Sequence, residues 1–115
     1  MKPETKPESG EKHLPTAFRL DQNAPNPFSA TTTIRFVIAR PCHVRVSIYD
    51  RERKLVRLLH DGPLAAGAYN MEWNGRAGDG QRLPNGFYNY RLQANGFVAT
   101  RKLEINHKSQ APNNK

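Results

Sequence analysis

The sequence has one cysteine, few acidic residues and no long apolar run, and each absence excludes a class of protein. Cys42 is the only cysteine, so an intramolecular disulfide cannot form, and we expect a small buried apolar side chain rather than a reactive thiol. No apolar stretch approaches the roughly 20 residues of a membrane-spanning helix. The opening residues, MKPETKPESGEKH, lack the apolar region of a secretory signal peptide. We therefore expect synthesis in the cytoplasm without such a signal.

Basic residues outnumber acidic ones, 18 to 10, and the formal net charge is +8. The first 13 residues contribute nothing to this surplus, because their three lysines balance three glutamates. The excess therefore belongs to the rest of the chain. It serves solubility, or it attracts an acidic protein, an anionic lipid or a nucleic acid.

The chain length suits one domain with one core. Residues 1–14 are rich in Lys, Pro and Glu, and residues 107–115 form a second polar stretch. We predict that both segments are disordered and that residues 15–106 form the folded body.

Short alternating segments within this body predict about seven strands. Each has apolar residues at every second position or is bounded by turn residues. The segments are Phe18–Asn23, Thr31–Ile38, His43–Asp50, Lys54–His60, Ala68–Asn74, Phe87–Ala94 and Phe97–Asn106. The fourth is irregular, so a helical turn is its alternative, although its length favours an edge strand. Residues 61–67 are predicted to form a loop.

The spacing of the strands predicts an all-β fold, an antiparallel β-sandwich. Asn95-Gly96 is the strongest local signal, because both residues tolerate positive φ and fit a two-residue hairpin turn. No segment predicts a long helix.

Four pieces of the body together resemble a known family. They are LDQNAPNPF at 20–28, TTIRF at 32–36, VRVSIYD at 44–50 with KLVR at 54–57, and a closing half of WNG at 73–75, GFYNYRL at 86–92 and TRKL at 100–103. In this order they resemble the immunoglobulin-like domain of type IX secretion C-terminal sorting domains and flagellar hook-capping proteins. The resemblance implies a non-catalytic targeting or docking module that an export or surface-assembly machine recognises.

Several residues are expected to hold this fold together. Pro25 and Pro27 would form a rigid elbow that places Phe28 over one end of the sandwich; a short recognition elbow is the alternative. Trp73 should lie in the core with its indole N–H bonded in the following loop. Tyr88 and Tyr90 should face inward from one strand. The glycine-rich loop 75–81 is predicted to be a hairpin loop, because it lacks the residues of a P-loop or calcium site.

The candidate partner-docking residues are arginines and a lysine, which suit pairing with carboxylates and phosphates. Arg35 and Arg45 alternate with core residues, and we expect them to project from one sheet face. The full set is Arg35, Arg45, Arg51, Arg53, Lys54 and Arg57. A solvated face is the alternative. Nucleic-acid recognition would need aromatic residues on the same face, for which Tyr49 is the one clear candidate.

No residue pattern indicates catalysis, a metal site or a cofactor. The four histidines are scattered, the serines fit no nucleophile motif, and Cys42 and His43 should face opposite sides of a strand. We expect a protein partner from a secretion machine or particle, and a monomer, with edge-strand dimerisation as the alternative.

Three functional hypotheses follow, and they differ in destination. A sorting domain would belong to a larger cargo bound for secretion or the cell surface. A free-standing cargo or accessory subunit would be packaged in an extracellular assembly, such as a contractile injection particle or a hook-like structure. A weak electrostatic nucleic-acid binder is the third, since binding driven by charge alone falls steeply with salt.

Overall fold

The computed structural model describes residues 17–107, and in this range the chain forms seven strands. They are β1 (Arg19–Leu20), β2 (Thr32–Ile38), β3 (Cys42–Tyr49), β4 (Leu55–Leu64), β5 (Gly67–Trp73), β6 (Gly86–Ala94) and β7 (Phe97–Ile105). The predicted disordered segments, 1–14 and 107–115, lie outside the described residues, except for His107. No helix within 17–107 is long and apolar enough to cross a membrane.

The strands form two antiparallel sheets, which confirms the predicted β-sandwich. One sheet has three strands in the order β1-β2-β5, and the other has four in the order β4-β3-β6-β7. The chain changes sheet between β2 and β3, between β4 and β5, and between β5 and β6. Consecutive strands therefore do not always share a sheet, and β2 and β3 lie on opposite sides of the core.

One core lies between the sheets. Alternating residues of β2, β3 and β6 are fully buried, as their period of two predicts. The buried apolar residues include Ile34, Phe36, Ile38, Val44, Val46, Ile48, Trp73, Tyr88, Tyr90, Leu92, Leu103 and Ile105. Cys42 is partly buried and packs against this core.

The β6–β7 hairpin turns at Asn95 and Gly96, as predicted. Ala94 pairs with Phe97 directly across the turn. Asn95 has a φ of 50° and Gly96 a φ of 84°, and a type I′ turn needs positive φ at both central residues.

Strand β4 is longer than predicted, and the loop assigned to 61–67 was partly wrong. Residues 61–64 continue the strand opposite the first residues of β3, with Arg45 paired to Asp61 and Cys42 to Leu64. Two register shifts interrupt the pairing. Such bulges break the period of two, so the apolar residues of β4 do not alternate regularly along the sequence. It is an edge strand, as expected, and an edge accommodates Pro63.

The proline elbow, residues 24–28, joins the segment after β1 to the end of β7 through backbone hydrogen bonds. Pro25 and Pro27 are exposed and follow cis peptide bonds, whereas Phe28 is 2% exposed and packs 5.7 Å from the Trp73 ring. The Phe28 N–H donates to Glu104 O at 3.1 Å. The Asn106 N–H in turn donates to Phe28 O at 2.9 Å.

Trp73 and the loop after it close the same end of the sandwich. The Trp73 indole N–H donates to Arg76 O at 2.9 Å. Gly75 has a φ of 74°, and a Cβ there would lie 3.5 Å from the Phe28 ring. The Gly78 N–H bonds to Val56 O, so this loop also covers part of the β4 edge.

Candidate functional site

The solvent-facing side of the four-stranded sheet, called the outer face below, is organised in rows that follow the strand register. The alternation that buries Tyr88, Tyr90 and Leu92 turns Phe87, Asn89, Arg91 and Gln93 outward on β6. Across the sheet, the first row is Leu55, Tyr49, Asn89 and Lys102; the second is Leu58, Ser47, Arg91 and Thr100; the third is Asp61, Arg45, Gln93 and Val98. Phe87 and Glu104 lie beyond the first row.

The outer face carries all four of the exposed large apolar side chains found in residues 17–107. Leu55 is 55% exposed, Leu58 41%, Phe87 47% and Val98 57%. Single exposed apolar residues are normal on protein surfaces, whereas a group of them on one face makes that face a candidate interaction site. The three-stranded sheet shows no such group among the described residues.

Cations lie over the aromatic rings of this face. The Arg91 guanidinium carbon is 4.9 Å from the centre of the Tyr49 ring, and the Lys102 Nζ is 5.2 Å from the centre of the Phe87 ring. Beside them, Ser47 is fully buried although it points away from the core, and its hydroxyl donates to Tyr49 Oη at 3.0 Å. The centre of the outer face is thus a packed cluster rather than a set of free side chains.

One end of the outer face carries a neutralised ion cluster. His43 Nε2 lies 2.5 Å from Asp61 Oδ1, and Arg45 Nη2 lies 3.3 Å from Asp61 Oδ2. The hydrogen bond to His43 holds the pKa of Asp61 below its ordinary value; Arg45 acts in the same direction, and desolvation opposes them. Arg45, a predicted docking residue, therefore already has a carboxylate partner.

The other end is the turn between β3 and β4, where three predicted docking residues lie. Asp50 Oδ1 accepts the backbone N–H groups of Glu52 and Lys54, and Arg53 has a φ of 65°. Arg51 lines a cleft together with Phe87, Asn89 and Lys102. The turn therefore adds cations beside the aromatic part of the outer face.

Two of the predicted docking residues lie elsewhere. Arg35 is on β2 in the three-stranded sheet, so the expectation that it shares a face with Arg45 on β3 was wrong. The chain changes sheet between these strands, and the two residues lie on opposite sides of the sandwich. Arg57 is half-buried and donates to Arg76 O and Ala77 O, so it supports the loop after Trp73.

Sequence reasoning missed Phe87, Arg91 and Lys102 as surface residues of one face. The signal was present, because placing Tyr88, Tyr90 and Leu92 inside requires their neighbours to face outward. Among residues 17–107 no group of three His, Cys, Asp or Glu side chains comes together as a metal site.

Two antiparallel sheets around one core define the class of protein, an immunoglobulin-like β-sandwich domain. The family model of the FlgD Ig-like domain matches residues 16–96, well over half of the chain. The chain therefore belongs to the FlgD Ig-like domain family, in agreement with the resemblance to hook-capping proteins seen in the sequence.

Individual relatives agree with this assignment. The basal-body rod modification protein FlgD of Salmonella typhimurium is 34% identical over 67 residues, which cover 57% of this chain and 29% of the relative. The FlgD structure from P. aeruginosa matches with a TM-score of 0.51 and 25% identity over 66% of this chain and 62% of that one.

A further structure, dimeric latent PorU from Porphyromonas gingivalis, matches with a TM-score of 0.60 and 25% identity. The match covers 81% of this chain and 10% of PorU. This chain therefore spans under a third of the curated FlgD relative and a tenth of PorU.

Proposed function

We propose that this chain is a non-catalytic docking module that an export or surface-assembly machine recognises through the outer face. The observation that carries the proposal is the concentration of Leu55, Leu58, Phe87 and Val98 on one side of the sandwich, beside Arg91 and Lys102. Protein interfaces combine exposed apolar anchors with arginine and aromatic residues in this way. Edge strand β4 offers backbone groups for an added strand as a second means of contact.

The finer proposal is a type IX C-terminal sorting domain, and it is supported by the sequence pieces from the proline elbow to the closing half. The PorU match supports only the coarser idea of a module within a larger protein, because the matched part is a tenth of a much longer chain. A sorting domain would act as a tag on a cargo, and the machine would bind the domain and not the cargo.

The second candidate is an accessory subunit of a hook-like or other extracellular assembly. The identity to FlgD, a basal-body rod modification protein, favours this function. Such a subunit would use the same outer face to dock on a neighbouring subunit of the particle, so the two candidates differ in the partner and not in the surface.

A delivery experiment tests the first candidate. The full chain is fused to the C-terminus of a reporter with its own signal peptide and expressed in a bacterium that has a type IX system. We expect the reporter outside the cell, and we expect it to remain in the periplasm when the secretion pore is deleted. Export that does not depend on the pore would refute the sorting function, and co-purification with hook subunits would then favour the second candidate.

Matched variants connect the outer face to delivery. The double substitution Leu58→Ser with Phe87→Ser changes the outer face, and Arg35→Ser with Asn70→Ser changes a cross-strand pair of the three-stranded sheet. We expect only the first pair to abolish delivery while both proteins keep cooperative unfolding. Equal delivery by both would show that the outer face is not the docking surface.

A further inference from the structure

Arg91 differs from the other arginines of the four-stranded sheet in lacking a partner for a buried polar atom. Its Nε is buried and has no hydrogen-bond partner in residues 17–107. Arg45 has Asp61, and Arg101 donates to Leu20 O at 2.6 Å. The cross-strand neighbours of Arg91 are Ser47 and Thr100, neither of which is acidic. A buried donor without a hydrogen-bond partner is destabilising, so the position of the Arg91 side chain needs an explanation.

The surroundings of Arg91 hold it in place for an incoming group. Tyr49 lies under the guanidinium, and Ser47 fills the space beside it. Leu58 lies in the same row, on the far side of Ser47. A cation held over a ring and flanked by apolar groups loses less freedom on binding than a free one, which is typical of arginine anchors in interfaces.

The charges around Arg91 favour an acidic occupant. Lys102 and Arg51 are near the Phe87 end of the face, where Glu104 lies opposite Phe87. At the other end Asp61 is already paired with His43 and Arg45. The centre of the outer face is therefore positive and apolar at once. Its complement is a surface that carries carboxylates next to apolar side chains.

A single-stranded nucleic acid fits this face less well. Bases bind such surfaces by stacking on aromatic rings. Here one face of the Tyr49 ring is covered by Arg91, and one face of the Phe87 ring is covered by Lys102. Each ring therefore already contacts a cation on one face, whereas the cations can still pair with carboxylates.

We infer that the outer face docks an acidic polypeptide segment whose carboxylate pairs with Arg91 while its apolar side chains pack on Leu58 and its neighbours. This inference rests on the proposed docking function and adds the chemistry of the partner. The terminal nitrogens of the guanidinium would bind the carboxylate, because the buried Nε is not accessible to a partner.

A peptide-display experiment tests the partner chemistry without a known partner. Short random peptides are selected for binding to the full chain, and the enriched sequences are measured by fluorescence anisotropy. We expect enriched peptides to carry Asp or Glu next to apolar residues, and we expect the NMR signal of the Arg91 Nε–H group to shift on binding. Enriched peptides without carboxylates would overturn the inference.

Variants of equal charge separate Arg91 from general electrostatics. Arg91→Gln and Arg35→Gln remove the same charge from opposite sides of the sandwich. We expect Arg91→Gln to weaken the selected peptides by about tenfold or more, as for a lost charge-assisted hydrogen bond, and Arg35→Gln to weaken them far less. Arg91→Lys should restore binding only in part, because an ammonium group lacks the paired donors. Equal losses from both Gln variants would overturn the inference.

Two further outcomes complete the test. Binding of oligo-deoxythymidine that depends on Arg91 and survives about 200 mM salt would replace the acidic polypeptide with a nucleic acid. In the delivery experiment, loss with the Leu58 and Phe87 variant but normal delivery with Arg91→Gln would overturn the role of Arg91 and leave the docking function standing. Normal delivery with both variants would instead show that the outer face is not the docking surface, and the failure of the docking function itself would appear as export that does not depend on the pore.

Discussion

Tyr90 is fully buried, and its hydroxyl group connects β6 to the segment before the proline elbow. The hydroxyl donates to Asp21 O at 2.6 Å and accepts the Asn23 N–H at 2.8 Å. Replacing Tyr90 with Phe keeps the ring and its packing but leaves both backbone groups without their partner. Asn23 is 2% exposed, so water cannot readily take the place of the hydroxyl.

The expected cost of Tyr90→Phe follows from these two bonds. A buried polar group left without a partner costs about 1–3 kcal/mol, so two such groups give about 3 kcal/mol of lost stability. A domain of roughly 90 residues has a free energy of unfolding of about 5–14 kcal/mol. The variant should therefore fold, with its midpoint of thermal unfolding lowered by roughly 12–24 °C.

Urea unfolding of both proteins measures this difference, and Tyr88→Phe is the matched control. Within residues 17–107 the Tyr88 hydroxyl has one hydrogen bond, which it donates to Pro84 O at 2.7 Å, so its loss should cost about 1 kcal/mol. A Tyr90→Phe protein as stable as Tyr88→Phe would show that the two-bond link is not a stabilising feature of the fold.

The same residue makes stability depend on alkaline pH. Burial raises the pKa of Tyr90 above its ordinary value of 10.0, although the Asn23 hydrogen bond opposes the shift. The folded state thus holds this proton more tightly than the unfolded state. The contribution is complete below the unfolded pKa, near ~10, and is lost as the pH rises through the folded pKa. Tyr90→Phe should lose less stability than the wild type over this range, and an equal loss would refute the assignment.

Three further predictions concern the elbow and the outer face. Phe28→Ala should lower the free energy of unfolding by about 3–5 kcal/mol, whereas Phe87→Ala should lower it by less than about 1 kcal/mol, both by urea unfolding. Gly75→Ala should cost about 1–2 kcal/mol because of its positive φ, and a neutral result would contradict the described turn. His43→Ala should raise the pKa of Asp61 toward its ordinary value of 3.8, measured from the pH dependence of its carboxyl carbon NMR shift; an unchanged pKa would show that the ion cluster does not form.

The fold was predictable because its signals are local. Period-two alternation located β2, β3 and β6, and Asn95-Gly96 located the last hairpin. Strand β4 was only partly predictable, since two register shifts break its period and residues 61–63, Asp-Gly-Pro, are turn-forming. The length of β4 depends on its pairing with β3, and the sequence of β4 alone does not reveal that pairing.

The candidate site was less predictable, because alternation assigns a residue to the outside of a sheet without saying which sheet. Arg35 and Arg45 have the same local pattern, yet the chain changes sheet between them. Conversely, Tyr49, Arg91 and Lys102 are far apart in sequence and become neighbours only through the register of β3, β6 and β7. Such a cluster follows from topology and not from any single segment.

The clip between the proline elbow and β7 has a mechanical consequence. Near its end, β7 is held on one side by pairing with Gly86 and on the other by Phe28, and the Glu104 N–H also donates to Asn26 Oδ1 at 2.9 Å. Tension applied through the chain beyond Asn106 would load both sides together and would not peel β7 away from one neighbour. A module that is pulled through or against a large machine would thus resist extraction at the point where force enters it.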